Sequence, residues 1–257
     1  MTTPRLYSDL AHLWPMLSPV EHYEAEADVL RGLIGAHFED VGETKLSLLE
    51  LGVGGGHTLV HLADDYACTA VDLSEKMLAN CRALIPQAEL VVGDMRSVRL
   101  NKTFDVVFIH DAIDYMLSED DVRRTLETVA LHLKPGGLCV IAPTYTRETF
   151  VDGDVADDGT TTDSEELTYF TYIHDPDPAD DTFEMILLYL IRDLKTRKVE
   201  LVEDRHTCGL FSEEQWVTWM NDAGFEARQL DADAEGEPWT LFVGAKSGKT
   251  GKQKSRK

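Results

Sequence analysis

Chemistry is most legible in the segment Leu48-Leu49-Glu50-Leu51-Gly52-Val53-Gly54-Gly55-Gly56-His57. An apolar run ends there in a glycine-rich loop, and helical spacing follows. Glycines at such a junction let backbone approach a ligand closely and permit turns closed to other residues. A dinucleotide fingerprint, G-x-G-x-x-G, fails whether it is counted from Gly52 or from Gly54, because His57 or Leu59 then stands in the last place. The pattern present is an acid followed by alternate glycines: Glu50, Gly52, Gly54 and Gly56. A carboxylate at that strand end is unfavourable for a pyrophosphate and favourable for an ammonium.

Two further strand ends carry matched groups. Asp72-Leu73 closes the second strand, where a nucleoside's ribose hydroxyls would lie. Gly93-Asp94-Met95 closes the third. Asp94 can accept from an adenine amino group, and the soft thioethers of Met77 and Met95 can sandwich its ring. Together these groups suit an adenosyl ligand with a cationic amino-acid end. S-Adenosyl-L-methionine is the expected cofactor, with S-adenosyl-L-homocysteine left after transfer.

The elements that must position these groups alternate. Strands are expected at Lys45 to Val53, Ala67 to Leu73, Leu90 to Gly93, Phe104 to His110 and Leu138 to Ala142. Helices are expected from Gly54 to Asp64, from a Ser74 cap through Leu84, and from Ser118 to the stop Lys134-Pro135-Gly136-Gly137. Continuous apolar strands alternating with helices predict a parallel sheet covered on both faces. Upstream, residues 1–17 are irregular. Ser18-Pro19-Val20-Glu21 then reads as a capping box opening a helix to about Gly35.

Beyond Pro143 the rhythm changes to antiparallel strands: Leu167 to His174, Phe183 to Arg192 and Lys198 to His206. The acidic runs Asp152 to Asp158 and Asp175 to Asp181 are expected to be solvated loops. A capped helix, Ser212 to Ala223 with Gln215 at the box position, precedes a closing pair of strands, Phe225 to Leu230 and Trp239 to Ala245. Trp216 and Trp219 are expected in the core.

The formal charge is -23, although the last twelve residues hold six basic side chains and no acid. So acidic a body repels phosphate backbones, and no nucleic-acid partner is expected. No apolar stretch is long enough for a membrane helix, and the N-terminus lacks signal-peptide features, so a cytoplasmic location is expected and no membrane contact. Cys68, Cys81, Cys139 and Cys208 form no C-x-x-C pair and suit buried reduced thiols.

His22-Tyr23-Glu24-Ala25-Glu26-Ala27, Val71-Asp72-Leu73-Ser74-Glu75-Lys76-Met77-Leu78, Gly93-Asp94-Met95-Arg96, Glu148-Thr149-Phe150 and Leu210-Phe211-Ser212 carry a resemblance. Their order resembles class I S-adenosylmethionine-dependent methyltransferases. At closer range it resembles the amino-sugar N,N-dimethyltransferases of macrolide biosynthesis. The resemblance implies an α/β, Rossmann-like, seven-stranded, mostly parallel sheet with an inserted antiparallel β platform and an N-terminal helical cap. In order along the sequence, the chain divides into a cap (1–40), a cofactor-binding domain (41–143 and 211–245), the insertion (144–210), which also matches that subgroup, and a basic disordered tail (246–257). The resemblance also implies that Tyr23 lies near the cofactor and that the segment with Tyr7 closes over it. Such enzymes place a histidine just past the fourth strand; here Tyr115 stands in that register, and His110-Asp111 comes earlier.

Methyl transfer aligns an acceptor against an electrophile, and an amine must lose its proton before it attacks. Tyr115, His110 and Tyr7 are the candidate catalytic residues. Asp111 and, from the insertion, His206 are further candidate bases, with His206 also readable as a structural histidine in its strand and His110 as a residue lending its backbone to the adenosine. Asp111 and Asp114 lack a separated third ligand, so no metal is expected. The leading expectation is a small-molecule acceptor, with N-methylation ahead of O-methylation of a hydroxyl or carboxyl. A non-catalytic adenosyl-binding protein of the same fold is the remaining alternative, and a nicotinamide oxidoreductase is disfavoured by the missing glycine. The insertion's strand edges suit a homodimer.

Overall fold

The structure is a computed structural model and describes residues 4–38 and 44–248. β1 (Ser47–Leu51) lies near the middle of a seven-stranded sheet. β2 (Ala67–Asp72) and β3 (Glu89–Val92) extend it one way, and β4 (Phe104–Ile109) and β5 (Leu133–Ile141) the other, all parallel. The hairpin of β10 (Phe225–Ala234) and β11 (Glu237–Lys246) adds antiparallel to β5. The chain winds outward in opposite directions from β1, so a switch point opens between β1 and β4 at the strands' carboxyl ends, where open α/β sheets bind ligands.

Burial on both faces explains the apolar strands. Leu48, Val106, Phe108 and Val140 enter one core, and Leu49, Leu51, Val107, Ile109 and Ile141 the other. The helices begin where short polar side chains can satisfy first-turn amides. Ser74 caps α4 (Glu75–Leu84), Ser118 caps α5 (Glu119–His132), and Ser212 with Gln215 forms a full capping box on α6 (Glu213–Asp222).

Local expectations fail at five places. Ser18 does not cap: its hydroxyl lies 2.5 Å from Tyr23 Oη, Val20–Tyr23 forms a 3-10 turn, and α2 (Glu24–His37) starts afterward. After β1 only one helical turn, α3 (Leu59–Leu62), forms, because Gly52, Gly54 and Gly56 take positive φ. α5 ends at His132, ahead of the expected stop, since the chain is already extended at Leu133 and Pro135 restricts Lys134. The closing strands run longer than expected and meet at Glu235-Gly236, both at positive φ as a tight hairpin requires. Part of the first acidic run is not a loop: β6 (Val155–Thr161) contains Asp157 and Asp158. It is an edge strand, so its backbone pairs while its acids keep their water.

That strand opens a separate antiparallel sheet, the platform, continued by β7 (Glu165–His174), β8 (Thr182–Asp193) and β9 (Val199–Gly209). The second acidic run is a turn joining β7 to β8. The N-terminal cap holds 3-10 turns at Arg5–Tyr7 and Ala11–Leu13 and the short α1 (Trp14–Leu17). Its Leu10 and Leu13 pack on Leu167, Leu187, Tyr189 and Val202 of the platform. Lys246, the first residue of the expected tail, belongs to β11 and donates to the carbonyls of Ala130 and Leu133 at 2.6 and 2.7 Å. The rest of that tail from 249 onward, and the expected boundary near 40, fall outside the described residues. Among the described residues no helix is long and apolar enough to cross a membrane.

Gly56 holds φ +85, and a Cβ there would meet Cys81 Sγ at 2.7 Å. Gly56→Ala is expected to lower unfolding free energy by about 1–3 kcal/mol. Gly32→Ala, in open space within α2, is expected to raise it by up to about 1 kcal/mol. Urea denaturation of both variants measures the contrast.

Candidate active site

A cavity of about 690 Å³ opens at the carboxyl ends of β1, β2 and β4, beneath the cap. Glu50 reaches it from β1. Its carboxyl is 2% exposed, and Oε2 has no hydrogen-bond partner among the described residues. Burial first, then the nearby Asp72 and Glu26, push it up to about 8. A buried carboxyl without a partner is costly, and an arriving ammonium would relieve that cost.

Asp72 is held by the loop it faces. Oδ2 accepts from Gly54 N and Oδ1 from Ser74 N, each at 2.8 Å. Burial raises its pKa, opposed by those amides. Its remaining lone pairs are free for hydroxyl donors in the cavity. Gly52 and Gly54 line the same wall; a Cβ on Gly52 would collide with Ala112. Gly56 is not on the wall and serves the packing of the loop on α4.

Asp94 accepts a fork from Arg96, whose Nη2 lies 2.7 Å from Oδ2 and whose Nη1 reaches Asp121 at 2.8 Å. The guanidinium holds the Asp94 carboxyl below its usual range. Met95 lines the cavity, but Met77 is fully buried beneath the loop and does not reach the wall. The expected methionine sandwich therefore does not form. The apolar surfaces offered to a flat ring there are Met95 and Leu73, and Leu73 is 66% exposed.

The candidate catalytic residues form two groups. His110 Nε2 lies 3.3 Å from Glu26 Oε2 and 3.4 Å from Asp111 Oδ1, with its ring against Phe108, Tyr23 and Trp239. Burial raises the Glu26 carboxyl. Tyr7 and Tyr115 meet elsewhere on the wall, where Tyr115 Oη donates to Tyr7 Oη at 2.9 Å. Burial pushes both phenols far above the usual range. Tyr23 lines the cavity, with its hydroxyl on Ser18.

Sequence reasoning missed Trp14, His57, Arg96 and Asp121, all on the wall. Trp14 packs over Gly55 and lies 5.6 Å from the His57 ring, and His57 Nδ1 is buried without a partner among the described residues. Its place in the glycine loop, seven residues after Glu50, was the available signal for His57, and the Arg96 within Gly93-Asp94-Met95-Arg96 that for the fork.

Known proteins match this arrangement. The profile of a family described as a methyltransferase domain covers residues 48–137. The dTDP-3-amino-3,4,6-trideoxy-alpha-D-glucopyranose N,N-dimethyltransferase of Streptomyces venezuelae is 30% identical over 224 residues, 86% of this chain and 90% of that protein. The dTDP-4-amino-2,3,4,6-tetradeoxy-D-glucose N,N-dimethyltransferase of Saccharopolyspora spinosa is 29% identical, over 78% of this chain and 79% of its own. Among solved structures, DesVI of Streptomyces venezuelae superposes with a TM-score of 0.80 at 26% identity, covering 94% of this chain and 98% of that one. The sugar N-methyltransferase KedS8 from Streptoalloteichus superposes at 0.81 with 25% identity, covering 96% and 95%. The chain belongs to the class I S-adenosylmethionine-dependent methyltransferases, in the family of the sugar N,N-dimethyltransferases.

Glu50 is largely protonated below pH 8 in the free protein, whereas an ammonium requires its carboxylate. S-Adenosylhomocysteine affinity is therefore expected to rise from pH 6 to 8 by up to about tenfold per unit, with proton release on binding. Glu50→Gln is expected to flatten that slope, and Asp72→Ala to weaken binding at every pH. Calorimetric titration in buffers of different ionisation enthalpy reads all three.

Proposed function

We propose that this enzyme methylates the amine of a small molecule bound beneath the cap, against Tyr7 and Tyr115. The observation that carries the reading is one cavity that holds both a buried carboxyl without a partner among the described residues, Glu50 of β1, and a pair of neutral phenols. The relatives' names as N,N-dimethyltransferases support an amine acceptor.

In this reading Glu50 holds the cofactor's ammonium, Asp72 the ribose hydroxyls and Asp94 the adenine edge, with Leu73 and Met95 against the ring. Gly52 and Gly54 would let it approach the backbone closely, and Tyr23 and His110 would contact it from the same wall. The bound cofactor supplies an electrophilic methyl carbon on a sulfonium. The chain's own residues align the acceptor and exclude water under Trp14 and Tyr7. Such alignment contributes about 7–11 kcal/mol in favourable cases.

The acidic charge of -23 supports action without nucleic acid, and four free thiols support a reducing, cytoplasmic setting. A homodimer through the platform is supported by its outer face. Phe170, Tyr172, Leu190 and Leu201 are all exposed there, with Phe170 opposite Leu188 and Leu190 opposite Leu201 across the strands.

An acceptor survey tests the function. Release of S-adenosylhomocysteine is measured with amino sugars free and dTDP-linked, simple amines, and their hydroxyl analogues. Turnover on amines is expected; turnover confined to hydroxyl analogues would overturn the reading. For the assembly, sedimentation velocity is expected to show a dimer that Leu190→Lys with Leu201→Lys converts to a monomer.

A further inference from the structure

The two phenols on the cavity wall do not end the polar chain that starts there. Tyr115 Oη lies 2.7 Å from His206 Nδ1, and His206 Nε2 lies 3.0 Å from Asp204 Oδ2. Asp204 also accepts from the amides of Arg5 at 3.0 Å and Leu6 at 2.8 Å. His206 is 2% exposed and Asp204 5%, and neither lines the cavity. Four ionisable groups from the cap, the turn after β4 and β9 are thus linked in single file from a buried carboxylate to the cavity.

Burial keeps both phenols neutral, so neither can act alone as an anionic base. They can pass a proton. Asp204 can terminate the file: its pKa is lowered despite burial, because His206 and two amides donate to it. We propose that Asp204, His206, Tyr115 and Tyr7 form a proton relay that takes the proton from the acceptor's ammonium, with His206 as the buried acceptor. The proposal rests on the amine reading of this cavity.

Two proton arrangements satisfy every group. With the imidazole neutral, Nε2–H donates to Asp204, Tyr115 O–H donates to Nδ1, and Tyr7 O–H donates to Tyr115, leaving a Tyr7 lone pair toward the cavity. With the imidazole charged, Nδ1–H donates to Tyr115, Tyr115 donates to Tyr7, and Tyr7 O–H points into the cavity. Passage from the first to the second breaks one N–H bond of the ammonium. Its proton goes to Tyr7, that of Tyr7 to Tyr115, and that of Tyr115 to Nδ1. The amine is left neutral and the positive charge rests beside Asp204, which stabilises it. Reversal to water in the emptied cavity resets the file.

The groups facing His206 are few. Asp204 lies on its own strand, Tyr115 and Tyr7 on the other side, and Met185 across on β8. Cys208, Asp72, Asp111 and Asp114 act on the phenols, and Tyr189 lies near Asp204. In this role Tyr7 is the catalytic residue, and His206 and Asp204 are positioning residues that act through it.

Two measurements on the full chain test the relay. In the first, the 15N-histidine-labelled protein with S-adenosylhomocysteine is titrated by NMR. Asp204→Asn is expected to shift the His206 Nε2 signal and, through the shared ring, Nδ1, and Tyr7→Phe, which removes a hydroxyl that the imidazole does not touch, to shift the Nδ1 signal. In the second, dTDP-3-amino-3,4,6-trideoxy-alpha-D-glucopyranose is the probe acceptor. His206→Gln is expected to reduce kcat about tenfold or more at pH 7. That deficit is expected to shrink to about two- to threefold near pH 10, where the amine deprotonates by itself, with unchanged S-adenosylhomocysteine affinity. A deficit equal at every pH, or a His206 signal indifferent to Asp204→Asn and Tyr7→Phe, overturns the relay. No turnover on any amine with the NMR coupling intact sinks the acceptor reading alone.

Discussion

Asp204 accepts hydrogen bonds from Arg5 N, Leu6 N and His206 Nε2. One side chain thereby joins the cap to the platform. The interaction is strong because an ionised acceptor takes three donors out of water. Around it Leu10 and Leu13 bury themselves against the platform, and Ser74 Oγ donates to Tyr7 O at 2.6 Å while Asn80 Nδ2 donates to Ala11 O at 2.8 Å. The cap is thus fastened both to the insertion and to the sheet domain. The roof over the cavity, with Tyr7 and Trp14, depends on that fastening.

The site illustrates how one residue type is given opposite tasks by its surroundings. Asp94 and Asp204 are held below the ordinary carboxylate range by donors. Their contribution to stability is present above the unfolded pKa and lost as pH falls through the folded one. Glu50, Asp72 and Asp114 are raised, chiefly by burial. For these the sign is reversed: the folded state binds the proton more tightly, so their burial weighs against it increasingly as pH rises from the unfolded value through the folded one. A cationic ligand at Glu50 would offset that cost. Binding energy and site electrostatics are the same quantity seen from two sides.

The departure at the turn after β4 also has structural sense. A tyrosine at position 115 is too weak an acid and too weak a base, when buried, to do acid–base work alone. It is long enough to reach both Tyr7 and His206. The imidazole enters from β9, from an inserted sheet that the sheet domain does not need for its own core. Loops and insertions carry chemistry while a covered parallel sheet supplies rigidity.

Much of the architecture is local in origin and so was readable from residues in order. Buried parallel strands must be apolar throughout, serines at 74, 118 and 212 announce helix starts, and a glycine loop after a strand announces a ligand. Glu50, Asp72 and Asp94 were legible because each closes a strand, and parallel strands bring such ends to one edge. What failed locally failed where tertiary contacts compete. The Ser18 hydroxyl was taken by Tyr23, Met77 was drawn under the loop, and β6 acquired strand form from its neighbour β7 rather than from its own acidic sequence. The linkage of Tyr7, Tyr115, His206 and Asp204 had no sequence signature. Its members stand up to about two hundred residues apart, on elements whose packing alone decides which side chains meet. The alternation of strands and helices, the loop chemistry and the cofactor class were determined by the sequence read by itself. The partner of each buried polar group was decided only when the cap and platform closed, because hydrogen-bond reach is a few ångströms and chain order carries no information at that scale.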